Sequence, residues 1–296
     1  MSTSKPHIAA ITCPICTNPM PFVFYKELLG RHIVAYYRCP KCELLKTEEP
    51  YWLEEAYSTA IADTDVGLVA RNMAMRASLP GILHSLFDPK GCFLDYAGGY
   101  GMLCRMMRDV GFNFYWQDKH CQNLLAKGCD LPPNHGAIEG ITAFEVMEHL
   151  PDPSIFIQEI FSKHKPQALI VTTTLYQGET PGLDWWYYSF ETGQHISFFT
   201  LRTLKALCLQ FGLFLSSIGS IHIFSKKPLP RWKLRLLNSE RLLSLSTRLA
   251  ERHMRSLLES DYEHAKKSLT IVQGTSSKTN SVEGEMLLRH EHCVKQ

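Results

Sequence analysis

Two C-x-x-C pairs, Cys13-Pro-Ile-Cys16 and Cys39-Pro-Lys-Cys42, constrain this chain more than any other feature. A C-x-x-C knuckle turns two thiolates toward one point, and two knuckles complete a closed tetrahedral set for one zinc ion. The 22 residues between them suit a ribbon built on one hairpin, with Tyr25, Ile33, Val34, Tyr36 and Tyr37 as its β-forming residues. A redox C-x-x-C normally stands alone beside a βαβ unit, so the paired arrangement argues for metal. Cys13, Cys16, Cys39 and Cys42 are therefore expected to hold a structural zinc with no open position for chemistry. Cys92, Cys104, Cys121, Cys129, Cys208 and Cys293 lack ligand spacing and are expected to be reduced thiols. The first ten residues show no apolar run of a secretory signal, so the expected location is cytoplasmic and reducing.

With 45% hydrophobic and 20% charged residues, the 296-residue chain has a globular composition that excludes a mostly disordered or collagenous one. Its net charge of +2 gives no bulk argument for nucleic-acid binding. That near-neutrality hides an asymmetry. Ser225 to Arg255 carries nine Lys and Arg against two Glu, with Leu and Trp at roughly helical spacing, and leaves the remainder net acidic. Such a segment reads as a helical cap with a solvated basic face, or as a peripheral contact to an anionic membrane. Ala206 to Phe224 is 19 residues without a formal charge, but polar residues and glycines break it. A helix ending near Gly212 and two strands turning at Gly219 are expected there, with no transmembrane span.

Four segments differ in texture: a zinc ribbon at 1–48, a helical connector at 49–90, an α/β domain at 91–225 and a basic helical extension at 226–296. In the third, the pattern predicts strands at 92–96, 112–116, 138–146 and 168–174, and helices at 102–110, 154–163 and 201–211. Strand–helix alternation implies an α/β fold, Rossmann-like and doubly wound, with a mostly parallel sheet. The strands within 213–225 are too close for a helical crossover and should close the sheet as an antiparallel hairpin.

Phe93-Leu-Asp-Tyr-Ala-Gly-Gly-Tyr-Gly-Met-Leu103 sets a glycine turn between a strand and a helix. Glycines let backbone approach a ligand closely, and a helix N-terminus favours negative charge. Asp118 falls just after the next strand, placed to accept from ribose hydroxyls. Asp95-Tyr-Ala-Gly-Gly-Tyr-Gly101 resembles the first motif of class I S-adenosylmethionine-dependent methyltransferases. Phe144-Glu-Val-Met-Glu-His-Leu-Pro-Asp-Pro153 is similar to the E-x-x-E-H-L segment that many of them carry after the fourth strand. The resemblance covers about residues 90–225. It implies that Asp95, Tyr96, Ala97, Gly98, Gly99 and Gly101 hold the amino-acid part of the cofactor, Asp118 its ribose, with Phe144 and Glu145 beside it. Ala97 departs from the usual first glycine and narrows the loop by a methyl. Asp65, Gly67 and Arg71 are expected at the cofactor entrance.

Glu148 and His149 lie at a strand-to-helix junction, and His195, in Gly193-Gln-His195-Ile-Ser-Phe-Phe-Thr200, follows the next strand. All three are catalytic candidates. Sugar C-methyltransferases that carry an N-terminal zinc module have a His in a similar segment, which implies His195 as general base. Ubiquinone-pathway and small-RNA O-methyltransferases instead imply a divalent ion such as magnesium at Glu145, Glu148, His149 and His195. Methyl transfer must position a nucleophile, remove its proton and exclude water, and either device serves. Trp185, Trp186, Tyr187 and Tyr188 suit stacking on a substrate ring. The expected partner is a small polar acceptor, a sugar or sugar nucleotide first. RNA binding through Lys5, Lys26, Arg31, Arg38, Lys41 and Lys46 of the ribbon is the rival reading, and a non-catalytic scaffold that binds zinc and cofactor is the third.

Overall fold

The computed structural model describes residues 9–57 and 64–267. Lys5, Cys293 and the extension from residue 268 lie outside the described residues.

The α/β part follows the expected alternation. It comprises β6 (Cys92–Tyr96), α3 (Met102–Val110), β7 (Asn113–Gln117), β8 (Ile138–Phe144), α4 (Pro153–Lys163), β9 (Ala168–Thr172), α5 (Leu201–Gln210), β11 (Phe214–Ile218) and β12 (Ile221–Ser225). One six-stranded sheet runs β11-β12-β9-β8-β6-β7. β7, β6, β8 and β9 are parallel, and β12 and β11 close the edge as the antiparallel hairpin. All five residues of β9 are buried, as a central strand covered on both faces requires. Beyond β7 the sheet continues only as a parallel bridge between Trp116 and Asp130. Residues 131–137, between that bridge and β8, form no strand. Helix ends follow their caps. Asp152 accepts from the Ser154 and Ile155 amides ahead of Pro153, and Thr200 and Thr203 form a reciprocal capping box on α5. Ala206 to Phe224 divides among α5, β11 and β12, and no helix among the described residues is long and apolar enough to cross a membrane.

The N-terminal part holds β1 (Ile11–Thr12) paired with β2 (Pro19–Met20), then the hairpin β3 (Phe22–Leu28) and β4 (His32–Arg38), then β5 (Leu45–Thr47). Its four-stranded sheet is completed from far along the chain. β10 (Ser197–Phe198) pairs antiparallel with β5, Ser197 opposite Lys46. Tyr36, Leu45, Trp52, Tyr188 and Phe198 form one buried cluster between the two parts. Helices α1 (Leu53–Ala56) and α2 (Leu68–Leu86) follow the ribbon, and α6 (Arg231–Leu237) and α7 (Glu240–His253) follow the sheet. α7 lies along α2, joined by a Ser85–Ser246 hydrogen bond of 2.8 Å and an Arg76–Glu251 ion pair of 2.6 Å. Residues 258–267 are helical, and Asp261 among them binds Arg105 and Arg108 of α3.

Candidate active site

The four ribbon thiols converge. Cys13 Sγ lies 3.5 Å from Cys42 Sγ, Cys16 Sγ lies 3.4 Å from Cys39 Sγ, and all four sit within 4.8 Å of one another. Sulfurs about 2.3 Å from a tetrahedral zinc stand about 3.8 Å apart, so the set fits that ion. The two knuckles share one backbone design. The Cys13 and Cys39 carbonyls accept from Thr17 N and Glu43 N, and their amides donate to Asn18 O and Leu44 O. Thr17 and Glu43 both take the left-handed conformation that turns each knuckle. The hydrogen bond with Cys42 pulls the Cys13 thiol down to about 5, easing the ionisation that a metal ligand needs. Among the described residues the other cysteines are unpaired thiols.

In the sheet, strand order reverses between β6 and β8, and the carboxyl ends of these two strands open a crevice of about 1810 Å³. Asp95 ends β6, buried. Its Oδ1 accepts from Thr142 Oγ1 at 2.9 Å, while Oδ2 has no partner. Burial pushes its carboxyl up to about 7. A Cβ on Gly98 would meet that Oδ2 at 2.7 Å and the Trp116 ring at 2.9 Å, so only glycine fits. Ala97 holds a left-handed φ of 55°, a conformation glycine adopts without penalty. Asp118 ties the loop from outside, accepting from Gly99 N at 2.9 Å, His120 N at 2.7 Å and Cys121 N at 2.8 Å. Tyr96, Ala97, Gly98, Gly99, Asp118 and Phe144 all line the crevice, and the Asp65–Arg71 ion pair stands at its wall. An orphaned buried oxygen beside the bare backbone of Gly98 and Gly99 is a cradle, and a nucleoside-linked amino acid fits it.

Across the crevice, Glu145 follows β8 with a φ of 53°, its carboxylate accepting from Thr172 Oγ1 at 2.7 Å. This strained position marks the site. Glu148, on the turn behind it, is fully buried, and neither carboxylate oxygen has a hydrogen-bond partner. Burial and the neighbouring Glu145 charge push Glu148 up to about 8. Ligand atoms of Glu148, His149 and His195 lie within 4.8 Å of one another. Each imidazole is anchored through Nδ1, His149 on the Gln194 carbonyl at 3.1 Å and His195 on the Tyr187 carbonyl at 2.6 Å. That bond fixes Nδ1–H as the donor and leaves Nε2 with its lone pair. Burial lowers both histidines, His149 to about 3, so both are neutral at pH 7.

Of the aromatic quartet, Trp186 and Tyr187 line the crevice and Trp185 and Tyr188 do not. Trp186 is 74% exposed at the lip, whereas Tyr188 is buried against Phe190 and Phe198. The Tyr187 hydroxyl bonds Thr173 and the Thr174 amide beneath the site. Three wall residues carry no sequence signal of their own: Tyr57, which stacks on His120 and meets His149 edge-on; Gln194, which donates to Ala56 O; and Thr173. Only the long-range fold brings them in.

A mostly parallel sheet that opens at its reversal point onto a glycine turn with a buried carboxylate is a Rossmann-like, doubly wound arrangement. The family described as Methyltransferase domain matches residues 70–217, half of the chain, and the chain belongs to that family. No curated protein matches it in sequence. Similar solved structures include TnmH, 12% identical over 60% of this chain and 62% of that one, with a TM-score of 0.41. Magnesium protoporphyrin IX methyltransferase (ChlM) from Synechocystis PCC 6803 is 15% identical over 60% and 93%, with a TM-score of 0.38. The small RNA methyltransferase HEN1 is 15% identical over 52% of this chain and 26% of its own, with a TM-score of 0.37. The chain thus spans about a quarter of HEN1 and three fifths of TnmH.

Proposed function

We propose that this protein methylates a hydroxyl of a small polar acceptor, a sugar or sugar nucleotide first, with His149 and His195 on the chemical face of its crevice and Glu148 buried behind them. One observation supports the reading: a buried Glu148 carboxyl meets two imidazoles that are anchored through Nδ1 and have no hydrogen bond at Nε2. Bound S-adenosylmethionine supplies an electrophilic methyl group. Asp95, the 97–101 turn and Asp118 hold it at the carboxyl ends of β6 and β7. Trp186 and Tyr187 flank the acceptor side and exclude water.

Glu148, His149 and His195 would hold a divalent ion, with Glu145 beside them. A partnerless carboxylate and two Nδ1-anchored imidazoles are the donor pattern of such a site. Two nitrogens and one carboxylate suit a borderline first-row ion such as iron(II) or zinc better than magnesium, and manganese serves as a spectroscopic probe of the site. That ion would supply acidification of the acceptor hydroxyl. The second reading keeps the same residues without an ion: His195 Nε2 takes the acceptor proton directly, and a protonated Glu148 is a neutral wall.

Three of the ribbon's cations favour a small acceptor over RNA. Arg31 pairs with Glu55, Arg38 binds the Tyr176 hydroxyl and Gly178 O, and buried Lys46 donates to Pro151 O. These charges are committed within the fold.

The test is a manganese titration followed by paramagnetic resonance, with cofactor affinity measured by calorimetry on the same samples. Wild type is expected to take one ion at this site, and Glu148→Gln and His195→Ala to lose it while still binding S-adenosylmethionine. Ion binding unchanged in both variants overturns the metal reading. Failure to bind S-adenosylmethionine overturns the methyltransferase assignment itself and favours a scaffold.

A further inference from the structure

Helices α6 and α7 bury one face each and expose another whose make-up is not that of a solvated surface. On α7, Leu242, Leu245 and Leu249 are 41%, 53% and 42% exposed. Their i, i+3, i+7 spacing aligns them in one stripe. Arg241, Arg248 and Arg252, all exposed, form a second stripe directly alongside. The buried side, Thr247 and Ala250, lies on the other flank of the leucines against α2. α6 repeats the pattern in shorter form. Trp232 is 65% and Leu236 45% exposed, with Arg231 and Arg235 beside them. Among the described residues, none of these five guanidinium groups has an ion-pair partner.

We infer that this face of α6 and α7 docks the protein on an anionic lipid bilayer. Leucine and tryptophan side chains sink to the depth of the headgroup–acyl boundary, and long arginine stems beside them reach the lipid phosphates. These cations, without an ion-pair partner among the described residues, are complementary to that surface. The face is held in place by the contacts of α7 with α2, so docking needs no refolding.

Its position matters for the crevice. Asn238, the C-cap of α6, donates to Ser217 O at 3.1 Å and accepts from Gly219 N at 3.3 Å. Gly219 and Ser220 form the β11–β12 turn, which stands at the carboxyl end of β9 and lines the crevice rim. A bilayer on α6 therefore sits beside the open end of the site. The inference holds whichever acceptor the crevice takes.

The experiment is cosedimentation of the full chain with vesicles of phosphatidylcholine containing phosphatidylglycerol, and with vesicles of phosphatidylcholine alone. The full chain is expected to pellet with the first, to be released by high salt, and to ignore the second. Trp232 emission should shift to the blue on binding, a shift absent in Trp232→Phe. Combining Arg241→Gln, Arg248→Gln and Arg252→Gln, or combining Leu245→Ser with Leu249→Ser, should each lower partition at least tenfold while S-adenosylmethionine affinity stays unchanged. Four results overturn the proposal. One is no pelleting with the anionic vesicles, and another is equal pelleting with neutral ones. The third is a dimer in sedimentation velocity that the leucine variant dissolves, which makes a second copy the occupant. The fourth is full binding by both variants that is lost on removal of residues 268–296, which assigns the contact to that segment.

Discussion

The four ribbon thiols and the crevice trio of Glu148, His149 and His195 are both clusters with ligand atoms within 4.8 Å, built in opposite ways. The thiols come from two local turns of identical backbone design, tied to each other through one hairpin. The trio is assembled from a turn after β8 and a loop some 45 residues later, and both histidines are anchored through carbonyls elsewhere in the chain. The first cluster is closed, with four donors. The second leaves positions open toward the crevice. Local spacing thus builds a site that holds structure, while topology builds one that can receive a reactant.

The two are also connected. The Cys42 carbonyl accepts from Thr203 Oγ1 at 2.8 Å, and the Glu43 carboxylate accepts from Thr200 Oγ1 at 3.0 Å. Thr47 N donates to Ile196 O, Trp52 Nε1 to Gly193 O, and Ile196 N in turn to Glu148 O. The His195 segment is therefore strapped between the ribbon and the Glu148 turn.

The largest effect is expected from breaking the closed cluster. Combining Cys39→Ser with Cys42→Ser should abolish zinc in elemental analysis and unfold the ribbon, since binding energy of such a site is folding energy. His195 should lose its strap and turnover should vanish with it. A ribbon variant that keeps full turnover would separate the two clusters. Next comes the open cluster. Glu148→Gln or His195→Ala should cut kcat by about 10² to 10⁴. Glu148→Gln should leave the thermal midpoint nearly unchanged at pH 7, because burial and the Glu145 charge already favour the neutral form of Glu148 there.

Asp95 gives a buried carboxylate outside both clusters. Its native value of about 7 lies above its unfolded one. The native state therefore holds its proton more tightly, and the stabilisation is complete below about pH 4. It is lost as pH rises through about 7, and the loss is on the order of 4 kcal/mol. Denaturant unfolding of the cofactor-free protein should show this slope, and Asp95→Asn should flatten it. The smallest effect belongs to the connection. Thr203→Val should cost about 1 kcal/mol and lower turnover only modestly.

What was legible in the sequence follows the same division. The knuckles, the 97–101 turn, Asp95, and the helices at 102–110 and 201–211 are set by neighbours within a few residues, and the structure has them within a residue. Glu148 and His149 were legible as a motif and His195 only through its place after a strand. The pairing of β10 with β5 was not legible, because a two-residue strand has no periodicity and its partner is far away. The Trp185–Tyr188 run carried an ambiguous signal: aromatic residues serve a lip and a core equally, and only the fold sends Tyr188 inward and Trp186 out. Nothing in the extension's spacing alone told which helix face α2 would cover.

The late arrival of β10 has a consequence for synthesis. The ribbon leaves the ribosome ahead of the α/β sheet, and its two knuckles have everything needed to meet once residue 42 has emerged. β5, however, remains an open edge until Ser197 and Phe198 appear roughly 150 residues later. Through that interval the nascent chain presents an unpaired strand with Leu45 uncovered, the kind of edge that recruits chaperones or neighbouring chains. Early closure of the thiol cluster would limit that exposure to a single three-residue strand.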